Sequence, residues 1–146
     1  MAYDYSKFLE NHEKRIEKER LNRASYMNTS KWEKLFLAVH ESNISLHGES
    51  VKFLLSEHIT PFNLKKDGLS YVRAYTCDTQ GGPVHYKEIE WIFVPASHNV
   101  QAMNQAEKLQ PKFNENDIYA LKILIDGLGL YEYDFNEDGL KIYGYK

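Results

Sequence analysis

Pro83-Val-His-Tyr-Lys-Glu-Ile-Glu-Trp-Ile-Phe-Val-Pro95 is the stretch on which the reading of the fold depends. Its β-branched and aromatic residues favour a pleated strand, and its length and apolarity place that strand at the centre of a sheet. Glu88 and Glu90 stand two residues apart and so fall on one side of such a strand. An unpaired buried carboxylate costs several kcal/mol or takes up a proton, so both groups need partners, solvent or a ligand.

Working outward, Leu69 to Cys77 also reads as a strand, and Gln80-Gly81-Gly82-Pro83 turns the chain between the two. A hairpin with Cys77 opposite Val84 sets Arg73 against Glu88. Val72, Ala74, Ile89, Trp91 and Phe93 then share a core face. Tyr71, Arg73, Tyr75, Tyr86, Glu88 and Glu90 share the other, which makes them the candidate polar and aromatic binding face. A slip of one residue would exchange the two sets.

Residues 4–24 read as a polar helix carrying Glu10/Lys14, Glu17/Arg20 and Glu19/Arg23 pairs at helical spacing. Its apolar residues, Phe8, Leu9, Ile16 and Leu21, form a sparse stripe, so the helix is expected at the periphery. A stronger helix follows Thr29 or Ser30 as N-cap, with Glu33 as capping-box partner and Trp32, Leu35, Phe36 and Val39 on its apolar face. Val51, Phe53 and Leu55 alternate as in a strand, and Lys65-Lys66-Asp67-Gly68 reads as a turn. Ser97 is expected to cap a helix through Leu109, which Pro111 ends. Asn114 or Asn116 opens another helix with Ile118, Leu121, Ile123, Leu124 and Ile125 as its apolar set. Leu130–Phe135 and Leu140–Tyr145 close the chain as a hairpin around Asn136-Glu-Asp-Gly139, with Phe135 opposite Leu140 and Asp134 opposite Lys141. The expected fold is α+β: one domain over 1–146, an antiparallel sheet of about five strands, packed helices, and a peripheral polar helix within residues 1–26.

The 146 residues, 42% hydrophobic, suffice for one core. A net charge of −3 argues against nucleic acid as a partner, because phosphate binding calls for a basic surface. No apolar run approaches the roughly 20 residues that span a bilayer, so neither a membrane nor a secretory segment is expected. The lone Cys77 excludes an internal disulfide and fits a cytoplasmic protein. Charge is uneven along the chain: residues 1–36 carry eight basic and six acidic groups, and residues 115–146 carry three and seven. Asp126, Glu132, Asp134, Glu137 and Asp138 therefore form the candidate acidic surface for a basic protein partner.

Chemical motifs are sparse. Asp134, Asn136, Asp138 and Gly139 match the first half of a calcium-binding EF-hand loop, but Tyr145 stands where the closing glutamate belongs, and a hairpin turn explains the same residues. Cys77 and His85 flank one turn, yet no second cysteine or histidine pair completes a metal site, so no metal or cofactor is expected. Glu88 and Glu90 would lie roughly 6 to 7 Å apart along the strand, close enough to act as acid and base on one substrate. Structural pairing with Arg73, the only arginine beyond the N-terminal helix, competes with that reading.

Tyr86-Lys-Glu-Ile-Glu-Trp-Ile92 and Gly139-Leu-Lys-Ile-Tyr-Gly-Tyr145 together resemble small bacterial proteins of unassigned function. The size, single domain and acidic C-terminal third are also similar to the immunity proteins that neutralise bacterial toxins, a similarity that transfers no residue. It implies a non-enzymatic protein-binding domain. The alternative is a small enzyme or ligand-binding domain centred on Arg73, Glu88 and Glu90.

Overall fold

The computed structural model describes residues 5–67, 74–76, 83–100 and 112–146. In chain order the elements are α1 (Tyr5–Leu21), α2 (Thr29–Glu41), β1 (Ser50–Phe53), β2 (Ile59–Pro61), α3 (Leu64–Asp67), a 3₁₀ turn (Tyr86–Glu88), β3 (Ile89–Pro95), β4 (Ser97–Val100), β5 (Lys112–Glu115), α4 (Ile118–Leu128), β6 (Tyr133–Asn136) and β7 (Gly139–Tyr143). Five of the strands form an antiparallel sheet in the order β2-β1-β3-β7-β6, while β4 and β5 make a separate two-stranded ribbon. The fold is α+β, with β3 at the centre of the sheet, as its composition requires. Among the described residues, no helix is long and apolar enough to cross a membrane.

α2 and α4 cover one face of the sheet because each carries an apolar stripe. Trp32, Leu35, Phe36 and Val39 of α2 and Ile118, Leu121 and Ile125 of α4 pack against Val51, Ile89, Ile92, Val94, Leu140 and Ile142. Phe36 sits at the centre, its ring 5.6 Å from Trp32, 5.9 Å from Phe62 and 5.0 Å from Tyr86. The N-cap of α2 is Asn28, whose Oδ1 accepts from Lys31 N–H at 2.8 Å, one or two residues before the expected Thr29 or Ser30. Asp117 caps α4 by accepting from Ala120 N–H at 2.9 Å. Lys34 Nζ donates to the Leu128 carbonyl at 2.7 Å, so α2 supplies the cation that the end of α4 lacks.

The central strand departs from the expected alternation. β3 pairs with β1 through Ser50↔Phe93, Val51↔Ile92 and Lys52↔Trp91, then shifts register to Phe53↔Ile89. This bulge at Glu90 puts Glu90 and Trp91 together on the outer face and lets Ile89 and Ile92 both reach the core. Trp91 and Phe93, expected in the core, are instead half-buried on the outer face, and Ile92 and Val94 take their place. Glu88 ends the 3₁₀ turn, so it does not share a strand with Glu90.

The hairpin expected before β3 lies largely outside the described residues, since 68–73 and 77–82 include Tyr71, Val72, Arg73 and Cys77. At its described end Tyr75 bridges His85, where Tyr86 was expected, and Tyr86 N–H donates to Ala74 O at 2.8 Å. Ala74 has a φ of 74°, a left-handed conformation that turns the chain and ends the alternation. Tyr86 is consequently 2% exposed and belongs to the core, which corrects its assignment to the binding face.

Other local readings also change. Ser97 opens β4 instead of capping a helix, and the rest of that expected helix, 101–109, lies outside the described residues. Residues 64–67 form the single turn α3, whose first turn Asn63 caps through Lys66 N–H at 2.9 Å. The C-terminal hairpin has the expected register: Phe135↔Leu140 and Asp134↔Lys141, with Leu140 and Ile142 buried and Tyr133 and Phe135 packed on the core. Asn136 Oδ1 accepts from Asp138 N–H at 2.9 Å, so the residues resembling half an EF-hand loop make a turn.

Candidate functional site

The two carboxylates of the decisive stretch hold α1 to the sheet. Glu90 is 8% exposed at its side chain and is bound by Arg23 Nη1 and by Lys52 Nζ, the latter at 2.7 Å. Arg23 follows α1 and also reaches Glu19 at 3.4 Å. Glu88 Oε1 meets His12 Nε2 at 2.9 Å, and Lys87 Nζ meets Glu13 at 2.7 Å. Ile16 completes the contact by packing with Leu54 and Tyr145. Backbone bonds extend the link: Ala24 and Lys146 exchange N–H···O bonds of 3.0 Å, and Tyr26 N–H donates to Gly144 O at 2.9 Å. Among the described residues, the partners of Glu88 and Glu90 come from α1, the segment after it and β1, whereas the pairing expected with Arg73 lies outside the described residues. A double-mutant cycle on Arg23→Gln and Glu90→Gln should give a coupling of about 1–2 kcal/mol in denaturant melts, since Glu90 is buried while Arg23 is partly exposed. Additive losses would dissolve the clamp.

The outer face of the sheet has a different character. Cross-strand pairing aligns Ile59, Lys52, Trp91 and Tyr143 in one row, with Glu132 beyond Tyr143, and Pro61, Ser50, Phe93, Lys141 and Asp134 in the next. Lys141 Nζ stands 4.3 Å from the Trp91 ring centre, and Lys146 Nζ stands 4.7 Å from that of Tyr143. The Tyr143 hydroxyl donates to Asp134 at 2.7 Å, and Lys146 pairs with Glu132 at 2.8 Å. Burial first, and then the Asp134 hydrogen bond, push the Tyr143 phenol above its ordinary range, so it stays a donor at neutral pH. Half-buried rings held by cations and carboxylates give this face a fixed shape and few side-chain rotamers left to freeze on contact. Sequence alternation missed Trp91 and Phe93 here, because the bulge at Glu90 reverses their side.

The acidic residues do not gather into one patch. Asp126 lies on α4, where the Tyr133 hydroxyl donates to it at 2.6 Å and Lys122 reaches it at 3.0 Å; these two bonds hold its pKa below the usual carboxylate range. Glu132 and Asp134 border the outer sheet face, and Glu137 and Asp138 are exposed at the adjoining hairpin turn. The lysines across from them reduce the net field below what the linear charge count implies. Of the polar and aromatic set, Tyr75 is exposed with its ring on His85 at 5.0 Å, Tyr86 is in the core, Glu88 and Glu90 are in the clamp, and Tyr71 and Arg73 lie outside the described residues.

Among the described residues, no group of three or more His, Cys, Asp or Glu side chains could hold a metal ion. No protein-family model matches this chain, and comparison with curated proteins and with solved structures finds no match either.

Proposed function

We propose that this chain is a non-enzymatic protein-binding domain of the kind that neutralises a bacterial toxin, and that the outer sheet face docks the partner. The observation that carries this reading is the pair of cross-strand rows bringing Trp91, Phe93 and Tyr143 together with Lys141 at the centre of the outer face. Large aromatics are the residues whose removal most often costs binding energy, and they act best near the middle of a patch ringed by polar groups. Glu132 and Asp134, with Glu137 and Asp138 at the turn, line one border of the face and favour a partner with a basic surface. The enzymatic alternative on Glu88 and Glu90 is weaker, because both carboxylates are already bound by cations or imidazole.

Association with a toxin domain recovered by co-purification with this chain is the test. Trp91→Ala should weaken binding by about 2 kcal/mol or more, mainly through faster dissociation. Asp134→Lys combined with Glu137→Lys should slow association, and raised salt should mimic that change in the native chain. A complex indifferent to both substitutions would remove this face as the interface.

A further inference from the structure

Beneath α1, on a different surface from the aromatic rows, a cavity of about 220 Å³ opens between Arg20, the first turn of α2, His85 and Lys87. We propose that this cavity binds a small oxyanion, a phosphate or a phosphate monoester.

Several donors converge there. Arg20 of α1 and Lys87 of the 3₁₀ turn bring two positive charges to its lining. Asn28 and Thr29 place the N-terminus of the 13-residue α2 at the same cavity, and that first turn carries no acidic side chain of its own. The cap of Asn28 takes up the Lys31 amide, which leaves the Thr29 and Ser30 amides without an intrahelical acceptor. His85 Nδ1 accepts from the Lys87 amide at 3.1 Å, so the neutral ring carries its proton on Nε2 and is a further donor. Burial, and then the Lys87 charge, lower the His85 pKa and keep the ring neutral at pH 7. Arg20 Nε is buried without a hydrogen-bond acceptor, so the rest of the guanidinium, which the Tyr145 hydroxyl and Glu17 also reach, is the part that can meet a ligand.

Among the described residues, the acceptors that reach these two cations are Tyr145, Glu17 and Glu13. The Tyr145 hydroxyl donates to the Lys87 carbonyl at 2.7 Å. Glu17 and Glu13 bind Arg20 at 2.6 Å and Lys87 at 2.7 Å, but both glutamates are 54% exposed at their side chains and are not among the residues lining the cavity. Such exposed pairs contribute little and can yield to a dianion that meets both cations and the helix end together. Met27 and Trp32 supply an apolar wall suited to the organic part of a monoester.

Calorimetric titration of the full chain with inorganic phosphate and, separately, with phenyl phosphate, at ionic strength held constant with sodium chloride, tests the assignment. Saturable one-to-one binding by inorganic phosphate assigns the site to the free ion; binding confined to phenyl phosphate assigns it to a monoester lying on Met27 and Trp32. Lys87→Gln should weaken either by about tenfold, the effect of losing one charge-assisted bond, and Arg20→Gln by at least as much. Because Arg20 is itself a residue of α1, the thermal melt of its variant without phosphate serves as the folding control. Glu13→Gln and Glu17→Gln should tighten binding severalfold by releasing the two cations. No saturation with either probe, or affinity unchanged in Lys87→Gln and in the two glutamate variants, overturns the proposal.

Discussion

Phe36→Ala is expected to destabilise the fold by about 3–5 kcal/mol, the range for removing a large ring from a packed interior. Phe36 is 1% exposed, and Trp32, Phe62 and Tyr86 all rest on it, so truncation opens a void between α2 and the sheet that none of these rings can fill by rotation alone. Trp91→Ala provides the contrast. Its ring is half-buried on the outer face, where it loses area and the Lys141 contact but leaves no enclosed cavity, so the loss should be about 1–2 kcal/mol. Urea melts of the two variants with unchanged m-values measure both losses on one scale. A greater loss from Trp91→Ala than from Phe36→Ala would mean that the faces of β3 are reversed.

Gly139→Ala should be comparably damaging, at roughly 3 kcal/mol or more, because conformational strain and collision act together. Gly139 opens β7 with a φ of 151°, which side-chain-bearing residues rarely adopt. A Cβ there would stand 2.2 Å from Val94 O and 2.9 Å from Pro95 Cα, both backbone atoms of the neighbouring strand. Relief requires β7 to part from β3 at the Pro95↔Gly139 pair and disturbs Asn136↔Gly139 on the other side. Gly129 separates the two effects: its φ is 145°, but nothing lies within 4 Å of an added Cβ. Gly129→Ala should therefore cost about 1–2 kcal/mol, the conformational part alone. Equal losses in the two variants would show that the close approach of β3 and β7 does not matter. Faster amide exchange confined to the β3–β7 ladder in Gly139→Ala would place the damage where the collision is.

The proposed docking face also bears on stability. Trp91, Phe93, Tyr143 and Lys141 contribute shape more than core energy, so variants there can be screened for binding without losing the fold. The Glu88 and Glu90 clamp behaves oppositely, since its loss leaves α1 held mainly by Ile16 and the Lys87–Glu13 pair. Leu21 is 85% exposed and Tyr5 62% exposed, so α1 has little buried apolar surface to hold it once the ion pairs are gone.

What the sequence by itself determined is the set of elements whose signals are short in range. The four buried residues of α2 repeat at helical spacing, those of α4 do the same, and the C-terminal hairpin combines a turn, an alternation and an Asp134–Lys141 pair that agree with one another. The candidate site was less legible: the stretch around β3 identified the central strand and two carboxylates that need partners, but not the faces of its side chains or which partners those are. Tertiary structure decided those, for physical reasons that no local pattern carries. Alternation assumes an unbroken period of two, and the single extra residue at Glu90 exchanges the sides of Trp91 and Phe93 with those of Ile92 and Val94. A carboxylate takes whichever cation the folded chain brings within reach, and for Glu90 those are Lys52 on the adjacent strand and Arg23, 67 residues away in sequence.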